Sequence, residues 1–255
     1  MNSEKIKQNF KLLESAGSYD PKLEHDACGV GLVAKITGEA THDIVIKSLQ
    51  ALCNLEHRGA SGADPETGDG AGILLQLPHE FLASEGKKLD LNLKEGNYGT
   101  GIIFCGNKLD HYEEIIKIFD ESARKQNLKV LGWRNLPIAP QKIGKTAKEI
   151  MPIIKQVFIG NNDDSNIENL EQKLYLIRKR FEKKSSEKFD KDTNQQVYAC
   201  SLSSTKIVYK GLLTSEQVQE FYLDLQNPNL KSNFGLVHSR FSTNTLGDWK
   251  LAHPY

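Results

Sequence analysis

The sequence predicts a mixed domain in which short strands alternate with helices, and three observations carry that prediction. Apolar runs of strand length, bounded by Gly, Pro or Ser, recur at 28–37, 73–77, 98–105 and 153–159. Between them, 41–56 and 110–126 place apolar residues at helical spacing. No internal repeat, low-complexity tract or break in composition interrupts the chain after residue 27, so its 255 residues suit one domain behind a short leader.

Residues 1–27 are polar and charged, with no sustained period, and read as a leader. A strand is expected over 28–37, where Gly29 and Gly31 weaken the run and so call for a close neighbour, either a ligand or another backbone. Gly38-Glu39 turns the chain. Thr41 is placed to N-cap a helix to Glu56, with Asp43 in its first turn and Val45, Leu49, Leu52 and Cys53 on its buried face. Gly59 stops that helix. The glycine-rich stretch 59–72 is too long for a simple connector, and no Gly-Lys-Ser/Thr follows to make it a phosphate loop. Further on, a strand is expected at 73–77, a short helix at 78–84, and strands at 98–105, 129–136 and 153–159. Helices are expected at 110–126, 167–189 and 213–225. The stretches 196–203 and 206–209 read as a hairpin turning at Ser203-Ser204-Thr205, and 234–240 reads as the last strand.

Lys+Arg and Asp+Glu both number 33, and a formally neutral chain lacks the basic excess that phosphate neutralisation needs, which argues against nucleic acid as a partner. The N-terminus has no signal-peptide apolar core, and no run approaches the ~18 apolar residues of a membrane span. The four cysteines lie far apart in sequence without a CxxC pair, so neither a zinc site nor a redox dithiol is suggested, and reduced thiols in the cytoplasm are the expectation. The cluster His25, Asp26 and Cys28 lacks a second ligand group at zinc spacing.

Cys28 sits on the boundary between leader and strand, and two readings are open. As an internal residue it is a small buried-type thiol. As a new N-terminus, freed by cleavage of Ala27-Cys28, it carries a thiol and an α-amine whose pKa of about 7.7–8.0 suits it to act as base, a role no amide nitrogen can fill.

Three ordered stretches carry a resemblance: Cys28-Gly29-Val30-Gly31, Leu55-Glu56-His57-Arg58-Gly59-Ala60, and His238-Ser239-Arg240-Phe241-Ser242-Thr243. They resemble the successive signatures of the class II glutamine amidotransferases. The additional stretches Thr67-Gly68-Asp69-Gly70-Ala71-Gly72, Tyr198-Ala199-Cys200-Ser201, Tyr209-Lys210-Gly211-Leu212 and Leu251-Ala252-His253-Pro254-Tyr255 are similar to the N-terminal glutaminase domain of the glutamate synthase family. The likeness runs from about Tyr19 onward.

The resemblance implies an α+β fold, a four-layer αββα sandwich of the N-terminal-nucleophile type, with 1–27 as a propeptide and 28–255 as the amidotransferase domain. It implies that Cys28 attacks the side-chain amide of L-glutamine, that Arg240 pairs with the substrate carboxylate, that Thr243 contacts the same glutamine, and that Arg58 and Gly59 line the nucleophile's pocket. The ammonia would supply glutamate synthesis from 2-oxoglutarate. FMN and an iron–sulfur cluster are expected only in downstream synthase domains, which would be the chain's partners together with a small electron-donating subunit. No cofactor is assigned to these residues. The resemblance further implies that the sandwich continues past Tyr255, where the Asn-Gly oxyanion hole and an acidic residue for the substrate amine are expected, so that the 255 residues alone are expected to be inactive. Another class II amidotransferase, or a non-catalytic relative of the fold, are the alternatives; such amidotransferases usually lack the Asp69-Gly70-Ala71-Gly72 context.

Overall fold

The computed structural model describes residues 28–59, 64–107, 111–161, 167–189, 197–242 and 247–255. The leader 1–27 and Thr243 lie outside the described residues. Among the described residues, eight strands run in chain order: β1 (Gly29–Ala34), β2 (Ala71–Gln76), β3 (Tyr98–Cys105), β4 (Lys129–Asn135), β5 (Ile154–Gly160), β6 (Val197–Ala199), β7 (Lys206–Gly211) and β8 (Phe234–Ser239). They form two antiparallel four-stranded sheets, ordered β1-β8-β2-β7 and β4-β5-β3-β6. The helices are α1 (His42–Asn54), α2 (His79–Lys87), α3 (Tyr112–Arg124), α4 (Lys145–Glu149), α5 (Leu170–Lys188) and α6 (Gln217–Phe221). The fold class is α+β.

Two apolar cores hold these elements, and β3 separates them. A strand points successive side chains to opposite faces, so a continuous apolar run is buried on both. Ile102 and Phe104 enter the first core with Val45, Leu49 and Leu52 of α1, Ile73 and Leu75 of β2, and Val237 of β8. Ile103 and Cys105 enter the second core with Ile115 and Phe119 of α3 and Leu174, Ile177 and Phe181 of α5. Gly235 explains how closely α1 lies on β8: a Cβ there would stand 2.2 Å from Ser48 Oγ.

A buried polar network sits beside the first core, with Arg134 over the Phe81 ring. Arg134 of β4 donates Nη1 and Nη2 to the Asp224 carboxylate at 2.7 and 2.8 Å, and Nη2 also lies 2.9 Å from Glu85 of α2. Gln156 Oε1 accepts from Nη1 at 3.0 Å, and Tyr209 Oη donates to Asp224 at 3.3 Å. Burial opposes ionisation of Glu85, but Lys88 and Arg134 outweigh it and hold the carboxyl below the usual range. Cutting one member of a buried ion pair leaves its partner charged and dry. Asp224→Ala is therefore expected to cost about 3–5 kcal/mol in denaturant-unfolding free energy.

Several local expectations are corrected. Residues 196–209 do not form a hairpin: β6 pairs with β3 and β7 pairs with β2, so the turn at Ser203 carries the chain from one sheet to the other. Glu171 at the start of α5 holds that crossing, accepting from Ser203 Oγ at 2.9 Å and Ser204 Oγ at 2.7 Å. Thr41 makes no side-chain cap. Its extended backbone instead exchanges hydrogen bonds with Ser232 at 3.0 and 3.2 Å. The helix expected over 213–225 shortens to α6 followed by the 3-10 turn Leu223–Gln226. The sequence reading did not contain α4.

Candidate active site

The register of the first sheet brings four chain segments to one end. Gly29 lies opposite Ser239, Ser239 opposite Ala71, and Ala71 opposite Gly211. One residue further on in each segment stand Cys28, Arg240, Gly70 and Leu212, and the row continues between two of them: Arg240 N–H donates to Gly70 O at 2.8 Å.

Cys28 is an exposed, free thiol. Its Sγ lies 3.4 Å from the Phe241 amide nitrogen and 3.7 Å from the Phe241 carbonyl oxygen. The next residue back from Phe241 is Arg240, a mostly buried guanidinium whose Nη1 donates to Asp69 O at 3.1 Å. A cavity of about 170 Å³ opens beside it, lined by Glu56, Gly59, Asp69, Ser215, Ser239 and Arg240 among others. Gly59 leaves that space open by having no side chain: a Cβ would come 2.6 Å from Ser239 Oγ. Its backbone is extended, at φ −94° and ψ 157°, so close approach rather than strain is the constraint.

Of the residues singled out from sequence, Cys28, Gly59 and Arg240 are thus brought to one end of the sheet. The backbone of Arg58 closes the 3-10 turn Glu56–Arg58 that delivers Gly59, and its side chain lies outside what the structure describes. Sequence reasoning assigned no role to Asp69, Ser215 or Ser239. The available signal was Asp69 standing between two glycines in a long loop. Ser215 and Ser239 bond each other at 3.2 Å, a pairing across 24 residues that no local pattern announces.

Around the site the polar groups are tuned by burial. His238 is drawn down to about 4 by burial, by His253 and by Arg240, so it is neutral at pH 7. Lys210 of β7 is fully buried and donates Nζ to Ala252 O at 2.7 Å and Lys250 O at 3.2 Å, with the rings of Tyr255 and Tyr198 at 4.2 and 4.6 Å. It ties the segment 250–252 beneath Gly70, whose added Cβ would meet Ala252 Cβ at 2.9 Å. Burial lowers Lys210 from 10.5 to about 8. Between those values the unfolded chain binds the extra proton, so this group makes stability rise with pH across the window and contributes no slope below it. The unfolding free energy of wild type minus that of Lys210→Met is expected to rise by about 3 kcal/mol from pH 8 to 10.5, a difference that cancels the tyrosines common to both proteins.

A larger, open cleft of about 790 Å³ lies between residues 90–98 and 129–131. It contains none of the residues singled out from sequence, so volume alone does not locate the site. Among the described residues, no group of three or more His, Cys, Asp or Glu could hold a metal ion. No described helix is long and apolar enough to cross a membrane.

Cys28 and Arg240 thus stand at the same end of the first sheet, and residues 28–255 match the class II glutamine amidotransferases. The chain belongs to that family. Within it, the chain is 47% identical over 243 residues to the NADPH glutamate synthase large chain of Bacillus subtilis (strain 168), covering 94% of this chain and 16% of that one. It is 41% identical over 235 residues to the ferredoxin-dependent glutamate synthase of Antithamnion sp., covering 91% and 15%, and 42% identical over 252 residues to the NADH glutamate synthase of Saccharomyces cerevisiae, covering 94% and 11%. The chain therefore spans 11–16% of the length of these relatives.

Proposed function

We propose that this chain is the glutaminase part of a glutamate synthase, releasing ammonia from the side-chain amide of L-glutamine. One observation carries the reading: Cys28 Sγ stands 3.4 Å from the amide that follows Arg240, so the nucleophile and a carboxylate anchor share one end of the sheet. Cleavage of Ala27-Cys28 would free the Cys28 α-amine, which takes the thiol proton. The thiolate then adds to the amide carbon of glutamine, forming a C–S bond. The α-ammonium returns its proton to the departing nitrogen as the C–N bond breaks, ammonia leaves, and water hydrolyses the glutamyl thioester to glutamate and free thiol.

Arg240 suits the substrate α-carboxylate because its planar guanidinium binds a carboxylate bidentately and stays charged. Its donation to Asp69 O fixes the direction of the fork. Thr243 and the Arg58 side chain complete the substrate-binding set in this reading. We further infer that the two sheets are the inner layers of an αββα sandwich. The second core, with α3 and α5 on one face of β3 and β5, supports an outer helical layer there, and α1 against β8 supports the other.

In the whole enzyme the ammonia would pass to downstream synthase domains of the same chain, in the cytoplasm, and be used on 2-oxoglutarate. FMN and iron–sulfur chemistry are assigned to those domains, not to any described residue. Relatives named for NADPH, NADH and ferredoxin match this chain at 41–47% identity, so the electron donor is set elsewhere in the protein. Glutamine-dependent ammonia release by the full-length chain tests the proposal. Gly59→Val is expected to fill the cavity and raise KM for glutamine by about 10–100-fold, whereas an unchanged KM would place the substrate elsewhere.

A further inference from the structure

We propose that Asp69 is a positioning residue that sets the geometry of both Cys28 and Arg240. The proposal rests on the reading of Cys28 as nucleophile and Arg240 as substrate anchor, and it assigns the loop before β2 a task in the same reaction.

The loop offers Asp69 in one pose. Upstream, the Asp64 carboxylate accepts from Thr67 Oγ1 at 2.8 Å, Glu66 N at 3.1 Å and Thr146 N at 3.0 Å, clamping the loop onto the start of α4. Glu66 O accepts Gly144 N–H at 3.1 Å. On either side of Asp69, glycine is required. A Cβ on Gly68 would stand 2.4 Å from Leu213 O, and Gly70 has φ +130° with Ala252 packed against it. Side chains at those positions would push the loop away from β7 and from segment 250–252.

Three hydrogen bonds then run from Asp69-Gly70 to the strand end that carries the chemistry. Asp69 Oδ2 accepts Ser242 N–H at 2.7 Å, Asp69 O accepts Arg240 Nη1 at 3.1 Å, and Gly70 O accepts Arg240 N–H at 2.8 Å. The first and third fasten the backbone on both sides of Phe241, the residue whose N–H reaches Cys28 Sγ. The second aims the guanidinium. Residue 241 is past the last ladder pair of β8, so the sheet does not fix it. The carboxylate-to-amide bond at Ser242 takes over where the ladder ends, and a bond to an ionised acceptor is roughly twice as strong as a neutral one. Loss of that bond loosens the backbone beyond Phe241, so both the place of its N–H at the sulfur and the aim of Arg240 depend on the Asp69 carboxylate.

The test uses the full-length chain with Asp69→Ala, Asp69→Asn and Asp69→Glu. Asp69→Ala is expected to lower kcat/KM for glutamine by about 10–100-fold, with kcat reduced and KM raised. Its Cys28 is expected to react with iodoacetamide at a rate different from wild type at the same pH, because the Phe241 N–H no longer holds the sulfur in place. Asp69→Asn retains an oxygen acceptor in the same place and is expected to recover most of both. Asp69→Glu keeps the charge but displaces the acceptor, and is expected to lose at least 10-fold; it carries the test if the alanine variant does not fold. Wild-type kcat and KM in Asp69→Ala or Asp69→Glu overturns the role, and so does a loss of thermal stability with an unchanged Cys28 alkylation rate, which marks a purely structural residue. Cys28→Ala in parallel separates the two ideas. Glutamine hydrolysis surviving in Cys28→Ala removes the underlying reading as well, whereas its loss there beside full activity in Asp69→Ala overturns Asp69 alone.

Discussion

Cys28→Ala is expected to abolish glutamine-dependent ammonia release in the full-length chain, with a loss of about 10⁴–10⁶-fold in kcat. The magnitude follows from the chemistry: alanine leaves neither a covalent intermediate nor a leaving-group pathway, and what remains is substrate binding. Cys28→Ser keeps a hydroxyl and the α-amine, but an alcohol is a far weaker nucleophile than a thiolate at neutral pH, so it is expected to be nearly as inactive. Folding should be spared, because the Cys28 side chain is exposed and, among the described residues, hydrogen-bonds only with the Phe241 backbone. Ammonia-dependent glutamate synthesis should continue in both variants. Paired assays with glutamine and with ammonium salts check this, and equal losses in the two would move Cys28 out of the glutaminase step.

The second large effect belongs to Arg240. If Arg240 anchors the substrate carboxylate as proposed, Arg240→Met removes a charge-assisted contact, which at about 1.5–3 kcal/mol corresponds to a rise in KM of about 10–100-fold. Arg240→Lys keeps a positive charge without the fork and should fall between the two. Arg240 also donates to Asp69 O, so its removal loosens the loop before β2, and some loss of kcat should accompany the loss of affinity. Steady-state kinetics with glutamine over a wide concentration range distinguishes the two components. An unchanged KM in Arg240→Met would mean that another group anchors the substrate.

Most of the elements were legible in the sequence, because each local signal agrees with what the tertiary structure needs. The run Tyr98–Cys105 is apolar on both faces, and both faces are buried. The face of Val45, Leu49 and Leu52 is the one α1 buries. Strand partnership was not legible, since antiparallel pairing is non-local. β7 reads as the natural hairpin partner of β6, yet each lies against a strand about a hundred or more residues earlier in the chain. The helix α4 is five residues long and begins by borrowing oxygens from Asp64 and Thr67 of a distant loop, so nothing within it announces a start.

At this end of the sheet, the residues singled out from sequence were those with intrinsic chemistry: a thiol at a strand boundary, an arginine at a strand end and a glycine at a helix end. Residues that act through geometry were not. Asp69 gains its meaning from Ser242, 173 positions away, and Arg134 from Asp224, 90 positions away. A bond that spans such a distance leaves no periodicity to read.

The central claim is that Cys28 works as an N-terminal residue. Intact-mass analysis of active full-length protein tests it most directly. The expected result is a chain that has lost residues 1–27 and begins at Cys28, with glutaminase activity tracking the cleaved fraction. A fully active protein whose mass retains Met1 or any residue before Cys28 would contradict it, because the amide nitrogen at position 28 could not act as the base.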